Sequence, residues 1–219
     1  KKNNFFGGNM KKLLLAVIVS LSTISTAALA EIKVGIILGF TGPIESLTPA
    51  MRDGAKLAFQ EASDSGNLLG GETFTILEAD STCVDAAAAT AAAEGLVADG
   101  VAAIMGADCS GVTKAINASV AVPNGILMVS PSATSPALSK VPDAGTFWRT
   151  APSDAKGGQI LAQIALDRGL TSVAITYENS DYGKGLSEVF AAAFTAGGGT
   201  VTTNDPHENG KGDYSAEVG

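Results

Sequence analysis

Cys83 and Cys109 are the only thiols in this 219-residue chain. Each closes a β-rich run and is followed by a polar loop, Asp80-Ser81-Thr82-Cys83 and Gly106-Ala107-Asp108-Cys109-Ser110-Gly111. Their chemistry depends on compartment: in an exported chain, an even cysteine count reads as a disulfide. Closing that loop removes roughly 3.5 kcal/mol worth of unfolded-chain entropy. Such a bridge braces loops at one end of a sheet, and in open α/β folds that end is where ligands bind.

Hydroxyls come next. Ser110 sits just before a helical run, where serine is an N-cap first and a ligand contact second. The roles are compatible, because free N–H groups and the positive end of a helix attract anions. Thr134-Ser135-Pro136 follows the same logic, with Pro136 suited to a first helical position and Ser135 or Thr134 capping it. Two capped helix ends near one sheet edge are able to hold one carboxylate.

Catalytic and metal patterns are missing. His207 is the only histidine, in a polar run read as a solvated loop. No G-x-S-x-G elbow, Walker A pattern or dinucleotide fingerprint occurs. No His/Cys cluster fits a metal, and no cofactor is expected. Gly183-Lys184-Gly185 lacks the upstream glycine of a phosphate loop. Carboxylates are scattered over helix faces, where solvation is their default role.

Met10-Lys11-Lys12, the apolar run 13–19 and Ala28-Leu29-Ala30 read as a cleavable signal peptide, with cleavage after Ala30 and delivery to the periplasm. The apolar run is shorter than the roughly 20 residues a membrane span requires. Past Ala30 the chain carries 10 basic against 22 acidic residues, which argues against nucleic acid or anionic lipid as a partner. The mean hydropathy of +0.26 comes from the signal and from alanine-rich helices, with no second long apolar run. At the other end, Asp213 caps the opening turn of a helix where the sequence stops, so the chain reads as a fragment.

From Glu31 onward β-rich and helical runs alternate. Strands are expected at 32–38, 73–78, 102–105, 126–129, 172–177 and 199–203. Helices are expected at 48–63, 84–99, 111–120, 155–168 and 182–196. In the first helix Met51, Ala55, Ala58, Phe59 and Ala62 share one face; in the fourth, Ile160, Leu161 and Ile164 do. Such alternation predicts right-handed βαβ units, a parallel sheet and helices on both faces, an α/β fold. The proline-rich stretch 130–146 breaks the rhythm. A crossover is therefore placed near 149–152, giving residues 1–30 as upstream and signal sequence, 31–150 as a first lobe and 151–219 as an incomplete second lobe.

These residues carry a resemblance. Ile32-Lys-Val-Gly-Ile, Thr41-Gly-Pro, 80–83, Cys109-Ser110, the run 126–138, Phe147-Trp-Arg-Thr, Tyr182-Gly-Lys-Gly-Leu and Asp213-Tyr-Ser follow in the order and spacing of one family. The chain resembles the solute-binding proteins of branched-chain amino-acid ABC importers, the Leu/Ile/Val-binding type, from residue 32 to 215. The resemblance implies the type I periplasmic binding fold, two Rossmann-like α/β lobes that close on a ligand, here with the second lobe truncated. It implies a bridge between Cys83 and Cys109. It places Ser110 and Thr134 on the ligand's carboxylate and amino group, and the carbonyl of Ser132 on the ammonium, with Ala133 in the same loop. Tyr182 and Asp154 would reach from the second lobe. Leu47 stands where family members carry an aromatic residue against the ligand side chain, a departure that leaves the side-chain preference open. The acid that pairs with the ammonium falls beyond Gly219.

The function implied is periplasmic delivery of an amino acid or related amide to an inner-membrane ABC permease, by a monomer that is not an enzyme. Two alternatives stand beside it: the ligand-sensing ectodomain of a receptor with the same fold, and an exported α/β enzyme.

Overall fold

The computed structural model describes residues 31–218; the expected signal peptide lies outside them. Two sheets follow one another along the chain. The first has five strands, β1 (Glu31–Leu38), β2 (Thr73–Asp80), β3 (Ala103–Gly106), β4 (Leu127–Ser130) and β5 (Phe147–Arg149), in the order β2-β1-β3-β4-β5. Every pairing is parallel, with Val34 opposite Ala103 and Ile104 opposite Met128. β1 lies between two neighbours, and Val34, Ile36, Ile37 and Leu38 are all buried, as its unbroken apolar run requires.

Three helices serve this sheet: α1 (Thr48–Asp64), α2 (Ala86–Ala98) and α3 (Ser110–Ile116). Ala89, Ala93 and Leu96 of α2 join Val112 and Ile116 of α3 against Ile37, Ile104 and Met128 to form the core. α2 begins at Ala86 because Asp85 caps it, accepting the N–H groups of Ala87 and Ala88 at 2.9 and 3.0 Å. On the opposite face α1 borders a groove of about 410 Å³, lined by Val34, Phe59, Met105, Leu127 and Val129.

The second sheet pairs β6 (Ser172–Glu178) with β7 (Thr200–His207) in parallel. Helices α4 (Asp154–Asp167) and α5 (Asp181–Ala196) accompany it, and Phe194 of α5 is fully buried, stacked 5.7 Å from Phe190. The two units touch where α5 meets the first sheet's loops. Lys114 of α3 pairs with Asp181 at 3.4 Å, and Gly185 lies so close to the 135–136 segment that a Cβ there would stand 2.9 Å from both Ser135 and Pro136.

The structure departs from the sequence expectations in four places. Residues 147–149 form a strand, β5, where no element was expected; three residues are too few to show a period. The helix expected at 111–120 is α3 followed by a π-helical turn, Asn117–Ala121. Pro123 has no N–H for the carbonyl four residues back, and its ring crowds that carbonyl, so the winding changes just before it. His207 ends β7 instead of lying in a loop, with Nδ1 2.8 Å from the Thr176 hydroxyl. Finally, Ile160, Leu161 and Ile164 share a face of α4 as expected, yet that face is open to solvent among the described residues, because α4 packs on α5.

No helix among the described residues is long and apolar enough to cross a membrane.

Candidate functional site

The carboxyl ends of β1 to β4 deliver their loops to one edge of the first sheet. Cys83, after β2, is bonded to Cys109, after β3, with the Cα atoms 5.2 Å apart. The β2 loop is held in an uncommon shape: Thr82 and Cys83 have φ of +57° and +68°. Asp80 pins it by accepting the Thr82 N–H at 2.8 Å and the Thr41 hydroxyl at 2.6 Å. Partial burial pushes the Asp80 carboxyl up, but the Thr41 hydroxyl and the Thr82 and Thr41 N–H groups outweigh it and hold the group below its ordinary value. Gly42 has φ of +101°, and a Cβ there would come within 2.4 Å of the Thr82 carbonyl. The turn Thr41-Gly42-Pro43 thus lies directly on the disulfide loop.

Deeper in, the Asp108 side chain is buried. Its Oδ2 accepts the Gly39 N–H at 2.6 Å; its Oδ1 accepts the Ser81 hydroxyl at 3.1 Å and the Cys109 N–H at 2.9 Å. The Ser132 hydroxyl donates to the Asp108 carbonyl at 3.1 Å. Below it, the Ser130 hydroxyl donates to the Ala107 carbonyl at 2.5 Å and accepts the Ala133 N–H at 3.0 Å.

Ser110 is the first residue of α3, not its cap; Cys109 holds the cap position, with no side-chain cap bond. The Ser110 hydroxyl instead accepts the Ser135 N–H at 3.1 Å, which sets Ser110 beside Thr134. A serine oxygen that accepts one bond keeps its own O–H to donate. Pro136 opens a 3-10 turn, Pro136–Lys140, as its fixed φ favours, and Ser135 stands at its cap position without a cap bond. Both anticipated helix ends are present but uncapped: the Ser110 hydroxyl is engaged with the Ser135 N–H, and the Ser135 hydroxyl is buried without a hydrogen-bond partner.

The 133–139 loop is gripped by Arg149 of β5, which the sequence reading did not single out as a site residue. Its Nη1 donates to the carbonyls of Ala133 and Ser135 at 3.1 and 2.9 Å, and its Nη2 to the Ser139 hydroxyl at 2.6 Å. Burial lowers the guanidinium's proton affinity, and the charge of Asp154 opposes that. Asp154 itself donates its N–H to the Thr134 carbonyl at 3.0 Å, while its Oδ2 is buried without a hydrogen-bond partner.

Ser110, Ser132, Ala133, Thr134 and Asp154 are thus gathered around one loop. The other two anticipated residues lie apart. Leu47, 57% exposed, precedes α1; Tyr182, 42% exposed, lines a groove of about 250 Å³ with Leu161, Tyr177 and Phe190. The signals missed in the sequence were Asp108 and Arg149. Both bear charge at a strand end, yet each acts on backbone groups far away along the chain.

Among the described residues no group of His, Cys, Asp and Glu could hold a metal ion.

Comparison with known proteins agrees with this architecture. The chain is 32% identical over 206 residues to the Leu/Ile/Val-binding protein BraC3 of Rhizobium johnstonii, covering 94% of this chain and 55% of that protein. The crystal structure of a leucine-binding protein LivK from Thermotoga maritima superposes with a TM-score of 0.72 at 27% identity, over 85% of this chain and 52% of that one. LivJ from Streptococcus pneumoniae, solved in complex with isoleucine, gives a TM-score of 0.73 at 26% identity, over 86% and 53%. The chain spans about half the length of the curated relatives it matches. The family model described as periplasmic binding protein matches residues 31–219, every strand and helix named above included, and the chain belongs to that family.

Proposed function

We propose that this chain is the solute-binding component of an ABC importer, exported by the signal peptide of residues 10–30 and released after Ala30 into the periplasm. It holds a small zwitterion, a branched-chain amino acid or a close analogue, between a lobe of residues 31–150 and a second lobe beginning at 151. The ligand leaves unaltered, handed to a membrane permease.

One observation carries this reading: the Ser110 hydroxyl bonded to the Ser135 N–H, which brings two hydroxyl-bearing loops together at the ligand edge of a parallel sheet. A zwitterion in a dry cleft needs both charges met, because unpaired buried charge is costly. Ser110 and Thr134 hydroxyls serve the carboxylate and amino group. The carbonyl of Ser132 receives the ammonium, and Ala133 shapes the same loop. Asp154 and Tyr182 approach from the second lobe, and Leu47 faces the side chain. The relatives' names, which specify leucine, isoleucine and valine, support the choice of ligand class. Lobe closure then turns occupancy into a shape a permease reads.

The test is calorimetric titration of the full-length protein with leucine, isoleucine and valine. Thr134→Val should weaken binding about tenfold, the value of one hydrogen bond to a charged group, with the ligand-free melting point unchanged. Unchanged affinity in that variant removes Thr134 from the site.

A further inference from the structure

Asp108 touches the loops of three other strands. Its side chain takes the N–H of Gly39 after β1 and the hydroxyl of Ser81 after β2, and its carbonyl takes the hydroxyl of Ser132 after β4. The residue is 2% exposed, and no cation pairs with it among the described residues. Its charge is balanced by hydrogen-bond donors alone, an arrangement sensitive to the loss of any one of them.

The Gly39 link has a second end. Gly39's own carbonyl accepts the hydroxyl of Thr48, a fully buried residue, at 3.2 Å. Thr48 also donates to the Glu45 carbonyl at 3.2 Å, and Leu47 immediately precedes it. A continuous path therefore runs from Ser110, through Cys109 and Asp108, to Gly39, Thr48 and Leu47. One end carries the hydroxyl assigned to the ligand's carboxylate, and the other the residue assigned to its side chain.

We propose that Asp108 is a positioning residue for ligand selectivity: it sets the spacing between Ser110 and the Leu47 segment, and so the side-chain length the site accepts. This inference rests on the ligand assignment above. Asp108→Asn preserves size but not acceptor number. An asparagine has one oxygen for donors that now meet two, so an N–H or O–H group faces the new amide nitrogen. If the oxygen keeps Ser81 and Cys109, the Gly39 contact is lost and the Leu47 segment is freed.

The experiment uses the full-length protein with alanine, valine and leucine as probes. In Asp108→Asn the ratio of leucine to alanine affinity should fall about fivefold or more, since one methylene in a fitted pocket is worth about tenfold or more. Thr48→Val, which cuts the path at its other end, should flatten the ratio likewise and serves if Asp108→Asn does not fold. Asp85→Ala, which removes the cap of α2 and whose side chain bonds no residue of the path, should leave the ratio unchanged. A uniform loss for all three ligands, or an unaltered ratio in both path variants, overturns the proposal. Amide exchange at residues 39–48 gives a readout without ligand: it should quicken in Asp108→Asn, and unchanged exchange also overturns the link. If the parent protein binds none of the three amino acids, the ligand assignment fails while the exchange experiment still decides the role of Asp108.

Discussion

At the carboxyl edge of the first sheet, a disulfide, a buried carboxylate and an arginine join the loops after four strands, through contacts between residues as much as 69 positions apart. Along α4 the reverse holds. Ile160, Leu161 and Ile164 are between 42% and 51% exposed, and the helix packs chiefly on its neighbour α5. Polar cross-links fix the geometry of a few atoms, whereas apolar faces supply area and tolerate sliding. The difference teaches that the geometry of this edge depends on few contacts, each separately removable, whereas α4 is held by packing area.

The most damaging intervention should be reduction of the Cys83–Cys109 bridge, which returns about 3.5 kcal/mol of chain entropy to the unfolded state. A thermal melt with and without reductant measures it; equal midpoints would show that the other cross-links suffice. Arg149→Met comes next. It strips the Ala133 and Ser135 carbonyls of a charged donor and should cost about 2–3 kcal/mol by denaturant titration, along with weaker ligand binding. If stability falls and affinity does not, the 133–139 loop does not position the site.

Acid provides a gentler probe. Asp80 has a folded-state pKa below its unfolded value, so its contribution is fully present above the ordinary aspartate value of 3.8 and is lost as pH falls through the depressed one. Asp80→Asn should remove that part of the acid-side slope of stability, followed by circular dichroism below about pH 4. Least of all, Ile164→Gln on the open face of α4 should shift the stability of residues 31–219 by no more than about 0.5 kcal/mol. A larger loss would mean that this face is covered in solution and that the contrast drawn here is too sharp.

Much of the scaffold was legible from local pattern. β1 announces itself by an unbroken apolar run, and α1 by apolar residues three and four apart. β5 was not legible, because Phe147-Trp148-Arg149 is a strand only by virtue of pairing with β4. Helix capping was expected at 110 and 135, but Ser110 spends its lone pair on the Ser135 N–H across 25 residues. Asp108 and Arg149 left no periodic signal at all. Their partners are mostly backbone groups, which every residue owns, so little in the partner's identity marks the pair.

The bridge between Cys83 and Cys109 has one more consequence. The strands that lead to these two residues, β2 and β3, are not neighbours; β1 runs between them. The sulfurs meet only above the tip of that middle strand, once all three lie side by side in the right sequence. Oxidation therefore acts as a seal applied to a correctly assembled edge. A chain that yields two free thiols lacks that seal, and its first three strands then rely on their own pairing and on the Asp108 contacts.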